Sequence, residues 1–456
     1  MQYRTDEYPT VAPARRANHR ADEPRITREQ ADEAYRQPQN HGAARRLISL
    51  TAIVGARPNF VKMAPLLEEA GRRSSLHCRL VHTGQHYSPE MSATFFDELG
   101  MPAPDVNLEI GSGSHTAQTA GVMLRLEVEL NERRPDLVLV VGDVNSTMAA
   151  ALVASKLGIP VAHVEAGLRS FDRSMPEETN RLVTDTLSDY LFASEPSGVA
   201  NLLAEGIPQE RVFLVGNVMI DTLLKFRGKA AQTGVLERLG LKSRNYAVAT
   251  LHRPSNVDGI EHLASLMNML TELARHLPVV FPVHPRTKER MHEAGLTQHG
   301  VMLVEPLGYL EFLRLTSEAR LVLTDSGGIQ EETTILQVPC LTMRENTERP
   351  ITIEQGTNRL VGTDPEKILR VALDTLDAPP RLLAPPALWD GKASARILDV
   401  LERSLGAFEP HPLTLARTEA ASHVLCDSKR SSRFSPPAGE PLPVQTLRAG
   451  DSAAGG

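Results

Sequence analysis

Residues 321–332 read LVLTDSGGIQEE, and the pattern in this stretch recurs along most of the chain. Four consecutive apolar or β-branched residues predict a strand buried on both faces. Gly327 and Gly328 then predict a sharp turn that a ligand can approach without meeting a Cβ. The N–H groups of the following helix can point at an anion, and Glu331 and Glu332 can accept hydrogen bonds from a ligand's hydroxyl groups. An ordinary strand–helix connection is the alternative, which this stretch alone leaves open.

Strands and helices alternate in two series along residues 47–405. The first series begins with ISLTAIVG at residue 48, and the second begins with VFLVGN at residue 212. This alternation predicts an α/β protein with two doubly wound, Rossmann-like domains, parallel sheets and a cleft between them. The predicted ranges are 47–212 for the N-terminal domain, 213–385 for the C-terminal domain, and 386–406 for a helix that packs back towards the N-terminal domain. A hinge is expected near 211–220.

Composition excludes several classes of protein. A net charge of −7 argues against broad nucleic-acid binding. Apolar runs stay below the roughly 18 residues that a membrane helix needs, and the N-terminus lacks the apolar core of a signal peptide. Cys78, Cys340 and Cys426 are far apart without metal-ligand spacing, which predicts a cytoplasmic protein with no metal site. Residues 1–46 and 407–456 are poor in large apolar residues, and we expect both to be disordered.

Acidic residues follow two successive strands of the first series. Asp143 stands at the carboxyl end of the strand LVLVV, and the next strand, within IPVAHVEAG, ends in Glu165. Since ligands bind at the carboxyl ends of strands in open α/β sheets, both carboxylates are predicted to converge on one crevice. Glu177 and Glu178 open a helix after Pro176, where the helix dipole favours an acid irrespective of function.

Cationic residues and histidines follow other strands. Arg57 and Lys62, after the first strand, predict either a phosphate site or a pair of solvated surface cations. His252, Arg253 and His284 follow strands of the second series and are expected to face the same cleft, although a lone histidine is more often structural. The segment GSGSHT, 111–116, lacks the third glycine of a dinucleotide fingerprint, so we expect a loop and no nicotinamide cofactor.

Six motifs together resemble one known family. They occur in this order: HVEAGLRSFDRSMPEETNR, TLHRPSN, PVHPRT, EPLGYLEFLRL, LTDSGGIQEE and MRENTERP. In combination they resemble the non-hydrolysing UDP-N-acetylglucosamine 2-epimerase family over about residues 47–405. The resemblance implies the two-domain glycosyltransferase-B fold, a UDP-sugar substrate, no cofactor and a homodimer.

The resemblance also implies roles for individual residues. Asp143, Glu165, Glu177 and His252 correspond to catalytic groups, with the C2 base left open among them. The residues expected to bind substrate are Arg57 and Lys62 near the diphosphate, Ser326, Gly327 and Gly328 at the diphosphate turn, Glu332 at the ribose, Phe312 at the uracil, Arg349, and also Arg181, Arg253 and His284. Gln85 and His86 are compatible with a second, allosteric UDP-N-acetylglucosamine site. HRPSN departs from the family's usual His-Arg-x-Glu-Asn, because Ser255 replaces the acid that helps to fix this loop.

The implied chemistry is elimination of UDP, through a 2-acetamidoglycal, followed by re-addition. It needs proton-transfer groups on both faces of the sugar, and cations and N–H groups to hold the departing diphosphate. The favoured reaction converts UDP-N-acetylglucosamine to UDP-N-acetylmannosamine for polysaccharide synthesis. Two alternatives stay open, namely the same chemistry on UDP-2,3-diacetamido-glucuronate and a catalytically silent UDP-sugar-binding regulator.

Overall fold

The computed structural model of this protein describes residues 46–85, 95–283, 285–295, 300–378 and 383–406. Within these residues lie two fully parallel sheets with helices between their strands, which confirms the predicted fold class. The domain boundaries at 212 and 385 stay a prediction, and both terminal extensions lie outside the described residues. No helix among those described is long and apolar enough to cross a membrane.

The first sheet has seven strands in the order β3-β2-β1-β4-β5-β6-β7. Its strands are β1 Ile48–Val54, β2 Leu76–His82, β3 Val106–Asn107, β4 Leu137–Val141, β5 Val161–Val164, β6 Tyr190–Ala193 and β7 Val212–Leu214. The accompanying helices are α1 Arg57–Gly71, α2 His115–Glu132, α3 Asn145–Lys156, α4 Pro176–Leu187 and α5 Pro196–Ala204.

The second sheet has six strands in the order β10-β9-β8-β11-β12-β13. Its strands are β8 Ala247–Thr250, β9 Val279–Pro282, β10 Val301–Val304, β11 Leu321–Thr324, β12 Cys340–Thr342 and β13 Asn358–Leu360. The helices from here on are α6 Val218–Ala230, α7 Val235–Arg238, α8 Pro254–Val257, α9 Ile260–Leu273, α10 Pro285–Glu293, α11 Tyr309–Ser317, α12 Gly327–Leu336, α13 Ile351–Glu354, α14 Pro365–Asp377 and α15 Ala393–Gly406.

Each half has its own apolar core. All five residues of β4 are buried because helices cover both faces of the sheet. On α2, Val122, Leu126 and Leu130 recur at intervals of four and therefore form one buried helix face. Removing a side chain of this kind from water stabilises the fold by about 1.5–3 kcal/mol.

The order of strands fixes where a ligand can bind. In each sheet the chain starts in the middle, runs to one edge, and returns to the other side of the first strand. The switch points therefore lie between β1 and β4 in the first sheet and between β8 and β11 in the second. In sheets of this type, ligands bind in the crevice at the carboxyl ends of the strands beside a switch point.

Helix α15 contacts the first half of the chain, although it comes last in the sequence. Arg73, which follows α1, donates from Nη1 to Asp399 and Glu402, at 2.7 Å in each case. Asp221, on α6, accepts from the backbone N–H of Ala393 and Ser394 at the start of α15. The ion pairs with Arg73 and the capping of its start by Asp221 therefore fix α15 against earlier parts of the chain.

Candidate active site

A cavity of about 990 Å³ is lined by residues from both halves, at the carboxyl ends of their strands. Many of the sequence-predicted site residues meet there. Those that line it are Lys62, Gln85, Asp143, Glu177, His252, Arg253, Phe312, Ser326, Gly327, Gly328, Glu332 and Arg349.

Asp143 lies two residues beyond β4 and faces the cavity with a side chain that is 25% exposed. Its Oδ2 accepts a hydrogen bond from Arg181 at 2.6 Å, and Asn180 donates to its backbone oxygen at 2.8 Å. Burial alone raises the pKa of Asp143, but the charges of Arg181 and Lys62 outweigh it and lower the pKa below its usual value. The Asp143 carboxylate is therefore ionised.

Glu165 follows β5 and lies just behind the cavity wall, in ion pairs with Lys62 and Arg349. Its φ of +75° puts a non-glycine residue in the left-handed region. The N–H groups of Glu165 and Ala166 both donate to the carbonyl of Phe192, which fixes this conformation. Backbone strain of this kind persists where the surroundings over-determine it, and it clusters at functional sites.

His252 lies two residues beyond the end of β8, and its side chain is exposed. Its Nδ1 lies 2.7 Å from Asp325, whose side chain is fully buried after β11. Asp325 also accepts from the backbone N–H groups of His252 and Arg253 and from the Asn256 amide. Burial raises the pKa of Asp325, but these hydrogen bonds, first that of His252, lower it to about 2. The carboxylate thus orients the imidazole and leaves Nε2 for chemistry.

The same contacts explain how this loop is fixed although Ser255 replaces the acid of the usual motif. This residue lines the cavity and is exposed, so it does not fix the loop from within. Asn256 does so instead, through hydrogen bonds to Asp325 at 3.0 Å and to the carbonyl of Met343 at 3.3 Å.

Helix α12 begins at the edge of the cavity with Ser326 as its N-cap. The predicted sharp Gly-Gly turn is wrong, because Gly327 and Gly328 are the first two residues of the helix and neither has a positive φ. Space favours glycine at the first of these positions, because a Cβ on Gly327 would stand 2.5 Å from the paired side chains of Arg349 and Glu348. A Cβ on Gly328 would stand 3.0 Å from the flexible end of Met219, which can shift. The free N–H groups of this first turn form a site suited to an anion.

Phe312, Tyr309 and Glu332 form another part of the lining. Burial, reinforced by the nearby charge of Glu331, raises the pKa of Glu332 to about 7. Glu331 itself cannot meet ligand hydroxyls as predicted. It is fully buried, and it accepts from Asn217 at 2.8 Å and pairs with Arg349 at 2.9 Å. Adjacent positions on a helix point in different directions, so only Glu332 faces the cavity.

Other predicted residues lie away from the lining. Arg57 stands over the ring of Phe95, 5.2 Å from its centroid, and is not part of the cavity lining. Arg181 is buried behind Asp143, so it acts on that carboxylate rather than on a ligand. His284 and His86 lie outside the described residues.

Residues that sequence reasoning missed include Asp325, Tyr309, Arg344 and Glu348. Asp325 carried a usable signal, since it directly follows an apolar strand, as Glu165 does. Glu348 and Arg344 pair with each other at 2.8 Å, and both are buried. Both lie in the motif MRENTERP, but the motif pointed to Arg349 alone, and local pattern does not separate the other two from surface charges of a loop.

Two Rossmann-like halves that bring acids, a histidine and a helix N-terminus to one cleft define a class of nucleotide-sugar enzymes with the glycosyltransferase-B type of fold. A sequence profile described as UDP-N-acetylglucosamine 2-epimerase matches residues 68–402. The chain belongs to this family, as its motifs predicted, and is an enzyme of the isomerase class.

Individual relatives agree with this assignment. The chain is 46% identical to a UDP-N-acetylglucosamine 2-epimerase of Methanococcus maripaludis, over 70% of this chain and 88% of that protein. It is 39% identical to a UDP-2,3-diacetamido-2,3-dideoxy-D-glucuronate 2-epimerase of Pseudomonas aeruginosa, over 78% and 100%. The crystal structure of the Methanocaldococcus jannaschii UDP-GlcNAc 2-epimerase, in complex with UDP-GlcNAc and UDP, matches with a TM-score of 0.73 and 43% identity, over 78% and 99%.

Proposed function

We propose that this enzyme interconverts UDP-N-acetylglucosamine and UDP-N-acetylmannosamine by eliminating and re-adding UDP, for the synthesis of polysaccharide precursors. The observation that carries the proposal is the meeting of Asp143 and Glu177, from the first half, with His252, from the second, in one cavity beside the start of α12. A deprotonation at C2 and a leaving diphosphate require this combination of groups.

The nucleotide would bind mainly to the second half. Phe312 offers a ring for the uracil, and Glu332 offers a carboxylate for the ribose hydroxyls. The first turn of α12, after Ser326, offers N–H groups for the diphosphate. Lys62, buried in its pair with Glu165, supplies a cation from the opposite wall.

The proton chemistry would then use the first half and His252. A base removes the C2 proton, the C2–H electron pair forms the C1=C2 double bond, and the C1–O pair leaves with UDP. UDP re-adds at C1 while a proton is delivered to the opposite face of C2. Asp143, Glu177 and His252 are the cavity-lining candidates, and Glu165 acts from behind through Lys62. The choice of base among them is left open.

Incubation of the enzyme with UDP-N-acetylglucosamine in deuterium oxide, without nicotinamide, tests this proposal. We expect the manno epimer to form with deuterium at C2, because the proton removed exchanges with solvent before re-addition. Epimerisation that retains hydrogen at C2 would contradict the elimination mechanism. Tight binding without any exchange would instead favour a silent UDP-sugar-binding regulator.

A second candidate substrate is UDP-2,3-diacetamido-glucuronate. The relative from Pseudomonas aeruginosa named for that sugar, at 39% identity, favours it. Exchange at C2 with this sugar but not with UDP-N-acetylglucosamine would establish the second substrate in place of the first.

We further propose that the enzyme works as a cytoplasmic homodimer and that Gln85, with His86, contributes to an allosteric site. Gln85 lines the cavity, and its side chain accepts a hydrogen bond from Ser146 at 2.7 Å.

Cys78 and Cys340 are both free thiols, as a reducing compartment favours. For the dimer, α2 offers an apolar stripe of Ala117, Ala120, Leu124 and Val128, spaced by three or four residues and exposed.

A further inference from the structure

Arg344 is a buried cation of the cavity lining, and one of its donors has no partner among the described residues. It follows β12, it is 6% exposed, and it belongs to the cavity lining. Its Nη2 donates to Glu348 at 2.8 Å and to Asn346 at 3.1 Å, whereas its Nη1 has no hydrogen-bond partner. Buried N–H groups almost always find an acceptor, because leaving one unpaired costs about 1–3 kcal/mol. Since Arg344 belongs to the cavity lining, a ligand bound there can supply the missing acceptor.

A second guanidinium lies beside Arg344. The Nη1 of Arg253 lies 3.7 Å from Met175 Sδ, and the Nη2 of Arg344 lies 3.9 Å from the same sulfur. Among the described residues, Glu348 is the one carboxylate within 4 Å of either guanidinium. Glu348 also pairs with Arg349, so it does not balance both neighbours. Asp172 lies farther off, although its pKa is lowered first by hydrogen bonds from Ser174 and also by the charge of Arg344. Within 4 Å of the two guanidiniums this part of the wall therefore carries excess positive charge, which suits an anionic group.

The position of the pair identifies that group. Met175 is the N-cap of α4 and stands two residues before Glu177, a candidate for proton transfer at C2. Glu348 is so close to the start of α12 that a Cβ on Gly327 would lie 2.5 Å from its Oε1. Arg253 and Arg344 thus lie between the helix end that suits the diphosphate and the acid that faces the sugar. In a UDP sugar, the group between these two is the β-phosphate.

We propose that Arg344 donates its free Nη1 to the β-phosphate of the UDP sugar, beside Arg253. This inference rests on the proposed function. When the C1–O bond breaks, its electron pair passes to the β-phosphate oxygen, and the guanidinium stabilises that charge without giving up a proton. Arg344 also holds the β-phosphate in place for re-addition.

Binding of UDP, UMP and uridine to Arg344→Gln, measured by calorimetry, tests this assignment. UDP affinity is expected to fall on the order of 10- to 100-fold, as for loss of a charge-assisted hydrogen bond, with UMP and uridine unchanged. Arg344→Lys is expected to recover part of the UDP affinity, because it keeps the charge but loses the planar fork. Arg359→Gln, an exposed arginine on β13, is the matched control and should bind all three ligands like the wild type.

Each other outcome overturns the assignment. Unchanged UDP affinity would mean that Arg344 does not touch the diphosphate. An equal loss for UDP and UMP would place the contact at the α-phosphate, and an equal loss for all three ligands would make the role structural. The experiment needs no turnover, so wild-type enzyme that binds UDP but does not exchange deuterium would refute the proposed function and leave this test intact.

Discussion

At the scale of single residues, neighbouring glutamates of α12 have different tasks because their surroundings differ. Glu331 points inward and is held by Asn217 and Arg349, so it links the helix to the rest of the site. Glu332 faces the cavity, with Tyr309 Oη 3.5 Å away. Since burial raises the pKa of Glu332 to about 7, this carboxylate changes charge near neutral pH.

The ionisation of Glu332 predicts pH-dependent nucleoside binding. An ionised carboxylate accepts the ribose hydroxyls more strongly than the protonated acid does. With a pKa of about 7, the ionised fraction rises from about a tenth at pH 6 to about nine tenths at pH 8. We therefore expect uridine to bind about tenfold more tightly at pH 8 than at pH 6, as measured by calorimetry.

Uridine is used because it has no phosphate that titrates in this range. Glu332→Gln should bind uridine more weakly and without pH dependence, since the amide does not titrate. An equally steep pH dependence in this variant would assign the effect to another group.

At the scale of elements, α11 is capped by a residue from the other half of the molecule. Its N-cap, Gly308, has no side chain, and Glu98 accepts from the N–H of Tyr309 at 2.6 Å. A Cβ on Gly308 would stand 2.2 Å from Glu98 Oε1, so glycine makes room for this contact. A carboxylate also interacts favourably with the positive end of the helix dipole. Because α11 carries Phe312, the contact ties the nucleotide end of the cavity to the first half.

Glu98→Ala is expected to weaken UDP binding. Removing a capping acceptor costs about 1 kcal/mol. Because Glu98 caps α11 from the other half, its loss destabilises the conformation in which both halves contact the ligand. The dissociation constant for UDP should rise about fivefold in titration calorimetry. Asp97→Ala, at the exposed neighbouring position, is the control and should bind like the wild type. Equal effects of both substitutions would refute a specific role for the cap.

At the scale of the whole molecule, two sheets with the same strand order contribute to one site. The ion pair between Glu165 and Arg349 joins residues 184 positions apart, and Asn217 binds Glu331 across 114 positions. Buried charges remain stable only when they are paired, so the two halves depend on each other for charge balance. The outer face of α2 takes no part in this site, although Leu124 and Val128 are 69% and 56% exposed there.

The exposed stripe of α2 predicts a two-fold dimer. Such an interface brings the same patch of both copies together, and burying Leu124 against its counterpart removes apolar surface from water. Light scattering should therefore give about twice the chain mass of 49.9 kDa for the wild type. Leu124→Lys should give one chain mass, because like charges would face each other. Ile260→Lys, 56% exposed on α9, is the control and should remain dimeric. A dimer that persists in Leu124→Lys would exclude this face.

The sequence by itself determined the fold class and the family. Apolar strands such as LVLVV and LVLT alternate with amphipathic helices, and local pattern is enough to predict parallel sheets. It also predicted that Asp143 and His252 face the cleft, because positions just beyond the carboxyl ends of parallel strands converge whatever the details of packing. Glu177 was added by the resemblance to the family.

Only the tertiary structure decided how the charges are paired. Glu331 and Glu332 are indistinguishable in the sequence, yet Glu331 is buried against Arg349 and Glu332 faces the cavity. Arg181 supports Asp143, Arg57 stands over Phe95, and Arg344 keeps a buried donor unpaired beside the cavity. The LVLTDSGGIQEE stretch needed glycine for space rather than for a turn, because residues far along the chain pack against it. These outcomes depend on contacts between residues distant in sequence, which no local pattern contains.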